Sequence, residues 1–265
     1  MVTTNTLSRN ALKGLVPAAF ADDPSDKVSD RYSFLPTTRI IDILDDAGWK
    51  PWDAQQVKGR CEDRRQAGKH LIRFRNEDIS MDPDSEVGDV FPEMLLINSH
   101  DGLSTYQLRA GLFRMVCANG MVVSDRDFGV IRIRHQAFDP NDVYEASEAF
   151  CENVANINTK VNNWRKISLS TASQRLFAIK AARLRFDNPD AFTSENVGMA
   201  HRDEDRGNSL WATFNRCQEN LLNGGWLNME TRRRVRKLTA IQKNVNINAD
   251  LWDLASEFEE RQLLG

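Results

Sequence analysis

No G-x-S-x-G, H-E-x-x-H, P-loop or G-x-G-x-x-G sequence occurs in the 265 residues of the chain. The common hydrolase, zincin and nucleotide-binding signatures are therefore missing. Cysteine is scarce: four residues, at 61, 117, 151 and 217, are too far apart for a C-x-x-C pair or a disulfide framework, and read as reduced cytosolic thiols. His70, His100, His135 and His201 are equally isolated, so no local metal motif is present and no metal or cofactor is expected. No apolar run approaches the ~20 residues that a membrane span needs. Nor is there an excess of positive charge, because 35 Lys and Arg stand against 38 Asp and Glu for a net −3. That balance excludes a protein that coats nucleic acid through uniform basicity.

What is present is ordinary globular material, 41% hydrophobic and 28% charged, enough to bury a sizeable core. Residues 1–33 are rich in Thr, Asn, Ser and Asp and show no sustained periodicity, which predicts a flexible leader. Within it GLVPAAFA (14–21) superficially resembles a secretion signal, but eight residues interrupted by Pro17 are too short an apolar core. Ile40, Ile41, Ile43 and Leu44 then mark a helix entered through Pro36, Thr37 and Thr38 and stopped at Gly48. From 53 to 138 the pattern is one of short strands. HLIRFR alternates Leu71, Arg73 and Arg75 with Ile72 and Phe74, as a half-buried strand does. EMLLINS (93–99) is apolar enough for a central strand. His100-Asp101-Gly102 carries a hairpin turn signal, and FGVIRIRH places Arg132 and Arg134 on one face.

Beyond Pro140 apolar residues recur at three- and four-residue spacings: Val143, Ala146, Phe150, Val154, Ile157, Val161 and Trp164 form one helical stripe. Further helices are predicted over SQRLFAIKAARLRF, LWATFNRCQENLL with its Asn223-Gly224-Gly225 stop, and ADLWDLASEFEERQLL. The expected class is α+β, an antiparallel sheet with flanking helices followed by a mainly helical C-terminal half. Its expected divisions are 34–140, β-rich, and 141–265, helical, packed as one interlocked unit.

Two features could carry chemistry. Asn98 to Gly102 gathers Ser99, His100 and Asp101 at a strand end, either a site or a turn satisfied by its own backbone. Charge patterning offers the other. Residues 58–75 hold Lys58, Arg60, Arg64, Arg65, Lys69, Arg73 and Arg75 against Glu62 and Asp63. Residues 232–243 hold Arg232, Arg233, Arg234, Arg236, Lys237 and Lys243 with no acid, and 175–186 hold Arg175, Lys180, Arg183 and Arg185 with none. The arginine fork suits phosphate oxygens, and Trp49, Trp52, Phe74, Tyr106, Phe128 and Trp226 are near enough in sequence to stack bases. The bland alternative is a solvated face whose charges pair with neighbouring acids. For 232–237 no acid follows at i+4 to make such pairs.

LLINSHDGLSTYQLRAGLFRMVCANGMVVSD (95–125) resembles the phage- and plasmid-borne family called domain of unknown function 932. The similarity extends to FLPTTRIIDILDDAGWKPWDAQQ, LWATFNRCQENLLNGG and RRRVRKLTAIQKNVNINADLW, and spans residues 34–262. It implies a mobile-element setting of host transfer or DNA maintenance. The order of elements is also reminiscent of single-strand annealing proteins of the Rad-fifty-two type, which lack a counterpart of the long helical C-terminal half.

The favoured expectation is a cytoplasmic protein of a bacterial host that binds nucleic acid, single-stranded DNA foremost, without catalysis, as a homo-oligomer and away from membranes. Its contacts would be Arg60, Arg64, Arg65, Lys69, Arg73, Arg75, Arg132, Arg134, Arg232, Arg233, Arg234, Arg236 and Lys237. Two alternatives stay open: a protein-binding inhibitor of a host defence or restriction system, and an enzyme built on Ser99, His100 and Asp101.

Overall fold

A computed structural model describes residues 6–29, 31–59, 62–79, 90–114, 119–123, 131–133 and 138–263. The chain divides into two units, Met1–Val154 and Ala155–Gly265. The division falls inside the helix Asn141–Lys166, not at its start as the strand-to-helix change in the sequence had suggested.

The first unit opens with α1 (Arg9–Leu15) and a 3-10 turn (Pro17–Phe20). The described part of the expected leader is thus built into the fold. Ser8 caps α1 through the Ala11 amide, and Leu12, Val16, Ala18 and Ala19 are buried. The Leu7 amide donates to the Pro51 carbonyl and the Ala18 amide to the Gln56 side chain. The small apolar residues that do this are too few and too irregular to register as periodicity, which is why the segment reads as linker. Helix α2 (Thr37–Asp46) buries Ile40, Ile41, Ile43 and Leu44, as their spacing predicts, and ends at Gly48 with φ +85°.

A sheet follows: β1 (Lys50–Gln56), β2 (His70–Arg75), β3 (Val90–Asn98), β4 (Tyr106–Arg114), β5 (Asn119–Val122) and β6 (Ile131–Ile133), with the short helix α3 (Glu62–Ala67) between β1 and β2. All pairings are antiparallel in the order β1-β2-β3-β4-β5, and β6 pairs with the other end of the same β4 edge. Strand β3 is central, as its apolar run requires. The His100-Asp101-Gly102 turn does join two antiparallel strands, with Leu96 opposite Leu108 in register.

Alternation along paired strands sorts side chains between two faces. One carries Ile72, Phe74, Met94, Leu96, Leu108 and Leu112, all buried. The other carries Arg73, Arg75, Glu93, Leu95 and Arg109, with Arg73 and Arg109 both aligned on Leu95. Strand β2 is buried along its whole length, arginines included, where alternation predicted one wet face. The reason is a carboxylate on the adjacent strand β3: Glu93 is fully buried and receives both guanidiniums.

Helix α4 (Asn141–Lys166) carries the predicted stripe, and all seven of its apolar positions are buried. Its first half serves the first unit, where the Trp49 indole donates to Ser147 Oγ at 2.7 Å and meets Phe150 edge-on. The second unit holds α5 (Thr171–Arg183), α6 (Ser194–Gly198), α7 (Leu210–Asn223) and α8 (Ile241–Leu263). Helix α7 is its axis: every residue from Leu210 to Leu222 is buried. Trp164, Trp211, Phe214 and Trp252 form one aromatic cluster with ring centroids 4.5–6.4 Å apart, a packing role in the core of this unit. The Trp164 indole is satisfied by Glu259 at 2.8 Å.

Candidate nucleic-acid interface

The run 232–237 forms one arm of a β-hairpin in the second unit. Gly224 closes α7 with φ +64°, and a Cβ there would lie 2.5 Å from the Val235 carbonyl oxygen, so only glycine lets the returning arm approach. The arms are joined by the Gly225 amide to Val235 O, the Val235 amide to Trp226 O and the Asn228 amide to Arg233 O, at 2.8–2.9 Å, with Leu227 bridging Arg234. Asn228 organises the tip, its side-chain oxygen accepting from the amides of Glu230 and Thr231. At the base, the Arg185 guanidinium donates to the carbonyls of Leu221 and Arg236 and ties the basic arm to the end of α7.

Arg232, Arg233, Arg234, Arg236 and Lys237 are all exposed. Arg234 donates to the Gly225 carbonyl, and none of the five has an ion-pair partner among the described residues. Arg232 has φ +56°, the one non-glycine residue with positive φ among the described residues. That conformation costs a residue with a Cβ about 1–2 kcal/mol. Leu227 and Met229 on the same hairpin are also exposed.

The other basic positions are differently placed. Arg65 pairs with Glu62 on α3 at 3.4 Å, and Lys69 is half-buried. Arg73 donates to one Glu93 oxygen at 2.8 Å, and Arg75 donates twice to the other at 2.9–3.0 Å. Trp52 lies under the Arg75 guanidinium at 3.5 Å. These two arginines build the sheet and are hidden from a ligand surface. Arg132 is exposed on β6. Arg60 and Arg134 lie outside the described residues, and so does the side chain of Arg64. In the third run Arg175 faces Glu195 and Lys180 faces Glu257, at 3.7 and 3.9 Å. Sequence reasoning passed over Arg109, whose signal would have been its register with Arg73.

The stacking candidates are mostly core. Trp49, Phe74 and Tyr106 are fully buried, Trp226 packs edge-on against Phe186 with its indole donating to Asn220, and Phe128 lies outside the described residues.

The strand-end cluster is a closed polar knot. Thr37 Oγ1 has four polar neighbours: His70 Nε2 at 3.1 Å, His100 Nε2 at 3.0 Å, Tyr106 Oη at 3.0 Å and Asn98 Nδ2 at 3.2 Å. His70 Nδ1 faces the Gly68 carbonyl and must donate to it, which leaves Nε2 to accept the Thr37 proton. His100 and Asn98 then donate to Thr37, while Tyr106 donates to the Leu35 carbonyl. Thr37, expected at a helix entrance, thus spends its hydroxyl on the sheet. Burial lowers His70 to about 4 and raises Tyr106, so both are neutral at pH 7.

Ser99 Oγ donates to Asp101 Oδ1, which also accepts from the Leu103 amide at 3.0 Å. His100 turns its Nε2 to Thr37 instead of linking Ser99 with Asp101. The proton relay that the enzyme alternative requires is not assembled. No group of three His, Cys, Asp or Glu suited to a metal occurs among the described residues, and no described helix is long and apolar enough to cross a membrane.

Comparison with known proteins returns relatives of the whole chain. Two proteins of Escherichia coli strain K12, UPF0380 protein YafZ and UPF0380 protein YfjQ, are each 32% identical over 253 residues, covering 94% of this chain and 90% of theirs. No solved structure matches. The family model described as "Domain of unknown function (DUF932)" matches residues 24–252, nearly the span over which the sequence resembles it, and the chain belongs to that family.

Proposed function

We propose that the protein binds single-stranded nucleic acid, DNA foremost, through the hairpin 225–237 and without catalysis. The observation that carries this reading is five exposed cations within six residues with no carboxylate within ion-pair distance of them among the described residues. Cations with a structural role recruit acids, as Arg65, Arg73, Arg75, Arg175 and Lys180 of the other two runs do. This hairpin instead leaves its arginines without an ion-pair partner among the described residues and holds one of them, Arg232, at positive φ near the tip. Strain retained where glycine would be cheaper is a mark of functional positions. With most stacking candidates in the core, affinity would come chiefly from phosphate contacts, and Leu227 and Met229 are the apolar groups at hand for sugars or bases.

Binding of a labelled oligonucleotide by fluorescence anisotropy tests this. Changing Arg232, Arg233 and Arg234 together to Ala should weaken binding at least tenfold at low salt and leave thermal stability nearly unchanged. No binding by the folded native protein at 50 mM salt, or equal binding by the triple variant, overturns the reading. Binding of the native hairpin to a stoichiometric host protein after nuclease treatment would favour the inhibitor alternative in its place.

A further inference from the structure

The first unit carries a charge cluster opposite in sign to the hairpin of the second. Asp22, Asp23 and Asp26 follow the 3-10 turn (Pro17–Phe20) and are all exposed. None of the three has an ion-pair partner among the described residues. Other acids of the same unit do: Asp42 pairs with Arg9, Asp45 with Lys50 and Glu62 with Arg65.

These carboxylates line a cleft of about 630 Å³, together with Glu62. Its lining includes one cation, Lys13, and the apolar groups of Pro17, Phe20 and Pro24. The segment that presents the acids is fixed to the fold, because Ser25 is buried and its amide donates to the His100 carbonyl at 3.0 Å. A fixed surface loses little freedom when it is covered. The acids are not gathered for a metal ion, since no group of three His, Cys, Asp or Glu suited to one occurs among the described residues. The cleft instead matches a larger cationic surface with some apolar content, and the chain itself presents one. The hairpin 225–237 carries Arg232, Arg233, Arg234, Arg236 and Lys237 beside the exposed Leu227 and Met229.

We propose that the acidic cleft of one copy receives the basic hairpin of a second copy. Each side sets charged groups around a small apolar patch, the usual make-up of a contact between proteins. Hairpin against hairpin, or cleft against cleft, brings like charges together and is disfavoured. The contact therefore joins two different surfaces, and each copy both donates a hairpin and offers a cleft. Being small and largely charged, it is weak and sensitive to salt. It uses the cations of the hairpin but does not require that they bind nucleic acid.

Sedimentation velocity of the nuclease-treated full chain, with no oligonucleotide present, tests this. At 50 mM salt the average mass should rise above that of the monomer as protein concentration increases, and at 300 mM it should return to the monomer value. Changing Asp22, Asp23 and Asp26 together to Asn should weaken association about tenfold, the combined size of three exposed charge pairs. Changing Arg232, Arg233 and Arg234 together to Ala should do the same. A mixture of the two variants is the sharper measurement. One keeps the hairpin and the other keeps the cleft, so together they should regain the association that each lacks alone. All six positions are exposed, and melting curves of the variants should match the native one. A monomer at every concentration, association that neither salt nor either variant moves, or a mixture that stays monomeric overturns the proposal. Because nucleic acid is absent throughout, these outcomes are separate from oligonucleotide binding by the native chain.

Discussion

At the scale of single residues, the molecule places polar groups where only their partners make them tolerable. His70 is the clearest case. Burial lowers it from 6.5 to about 4, so the unfolded chain takes up its proton near pH 6.5 while the folded chain resists until about 4. The stability tied to neutral His70 is therefore whole above pH 6.5 and is lost as pH falls toward 4, about 3 kcal/mol in all. Urea unfolding at a series of pH values should show this loss, and His70→Gln should lower stability at pH 7 while flattening the profile between 6.5 and 4. An equally steep profile in the variant would assign the pH dependence elsewhere. Glu93 is the second case. Replacing it with Ala strands Arg73 and Arg75 in the sheet, and a loss of about 3–5 kcal/mol is expected from denaturant midpoints. A loss under 1 kcal/mol would mean that water reaches both guanidiniums.

Elements were legible wherever one physical requirement dominated. The three- and four-residue stripe of α4, the apolar run of β3 and the Gly224 stop of α7 all stand in the sequence as written, because each is set by local periodicity or by a left-handed backbone. Gly224→Ala should cost at least about 2 kcal/mol, since it combines a positive φ with a carbonyl 2.5 Å from the new methyl. Because the same position sets the hairpin, the variant should also lose oligonucleotide affinity, which anisotropy would report. A stable variant with full affinity would show that the hairpin does not depend on this crossing. The α1 segment was illegible for the opposite reason: Leu12, Val16, Ala18 and Ala19 acquire meaning only from the β1 surface they meet. The basic runs looked alike in sequence and separate once Glu62, Glu93, Glu195 and Glu257 are seen beside two of them.

For the whole molecule, the net charge of −3 says little about anion binding, because charges act through local potential over a Debye length of about 10 Å. The hairpin gathers five cations within six residues, at most about 17 Å of extended chain, so sequence neighbours lie within that range of one another. The logarithm of oligonucleotide affinity should accordingly fall linearly with that of salt, with a slope of about −3 for four or five phosphate contacts to a single strand. Each Arg→Ala change in the hairpin should reduce the slope by roughly 0.7. A slope near zero, measured from 50 to 300 mM salt, would exclude phosphate contacts as the source of affinity.

The sequence alone determined the class of fold, the central strand, the long helices and their buried faces, since periodicity of two or of 3.6 residues is a property of the chain itself. It also determined which segments carry unbalanced positive charge. Only the tertiary structure decided which of those charges are spent. Arg73 and Arg75 are neutralised by Glu93 across the β2–β3 pair, whereas Arg232 to Arg234, on a hairpin closed by Gly224, have no ion-pair partner among the described residues. Likewise only the fold joined Thr37, His70, Asn98, His100 and Tyr106, drawn from one helix, three strands and the turn after β3, into a single polar knot. Pairing and burial depend on distance in space, and residues twenty to seventy positions apart carry no trace of that distance in their order.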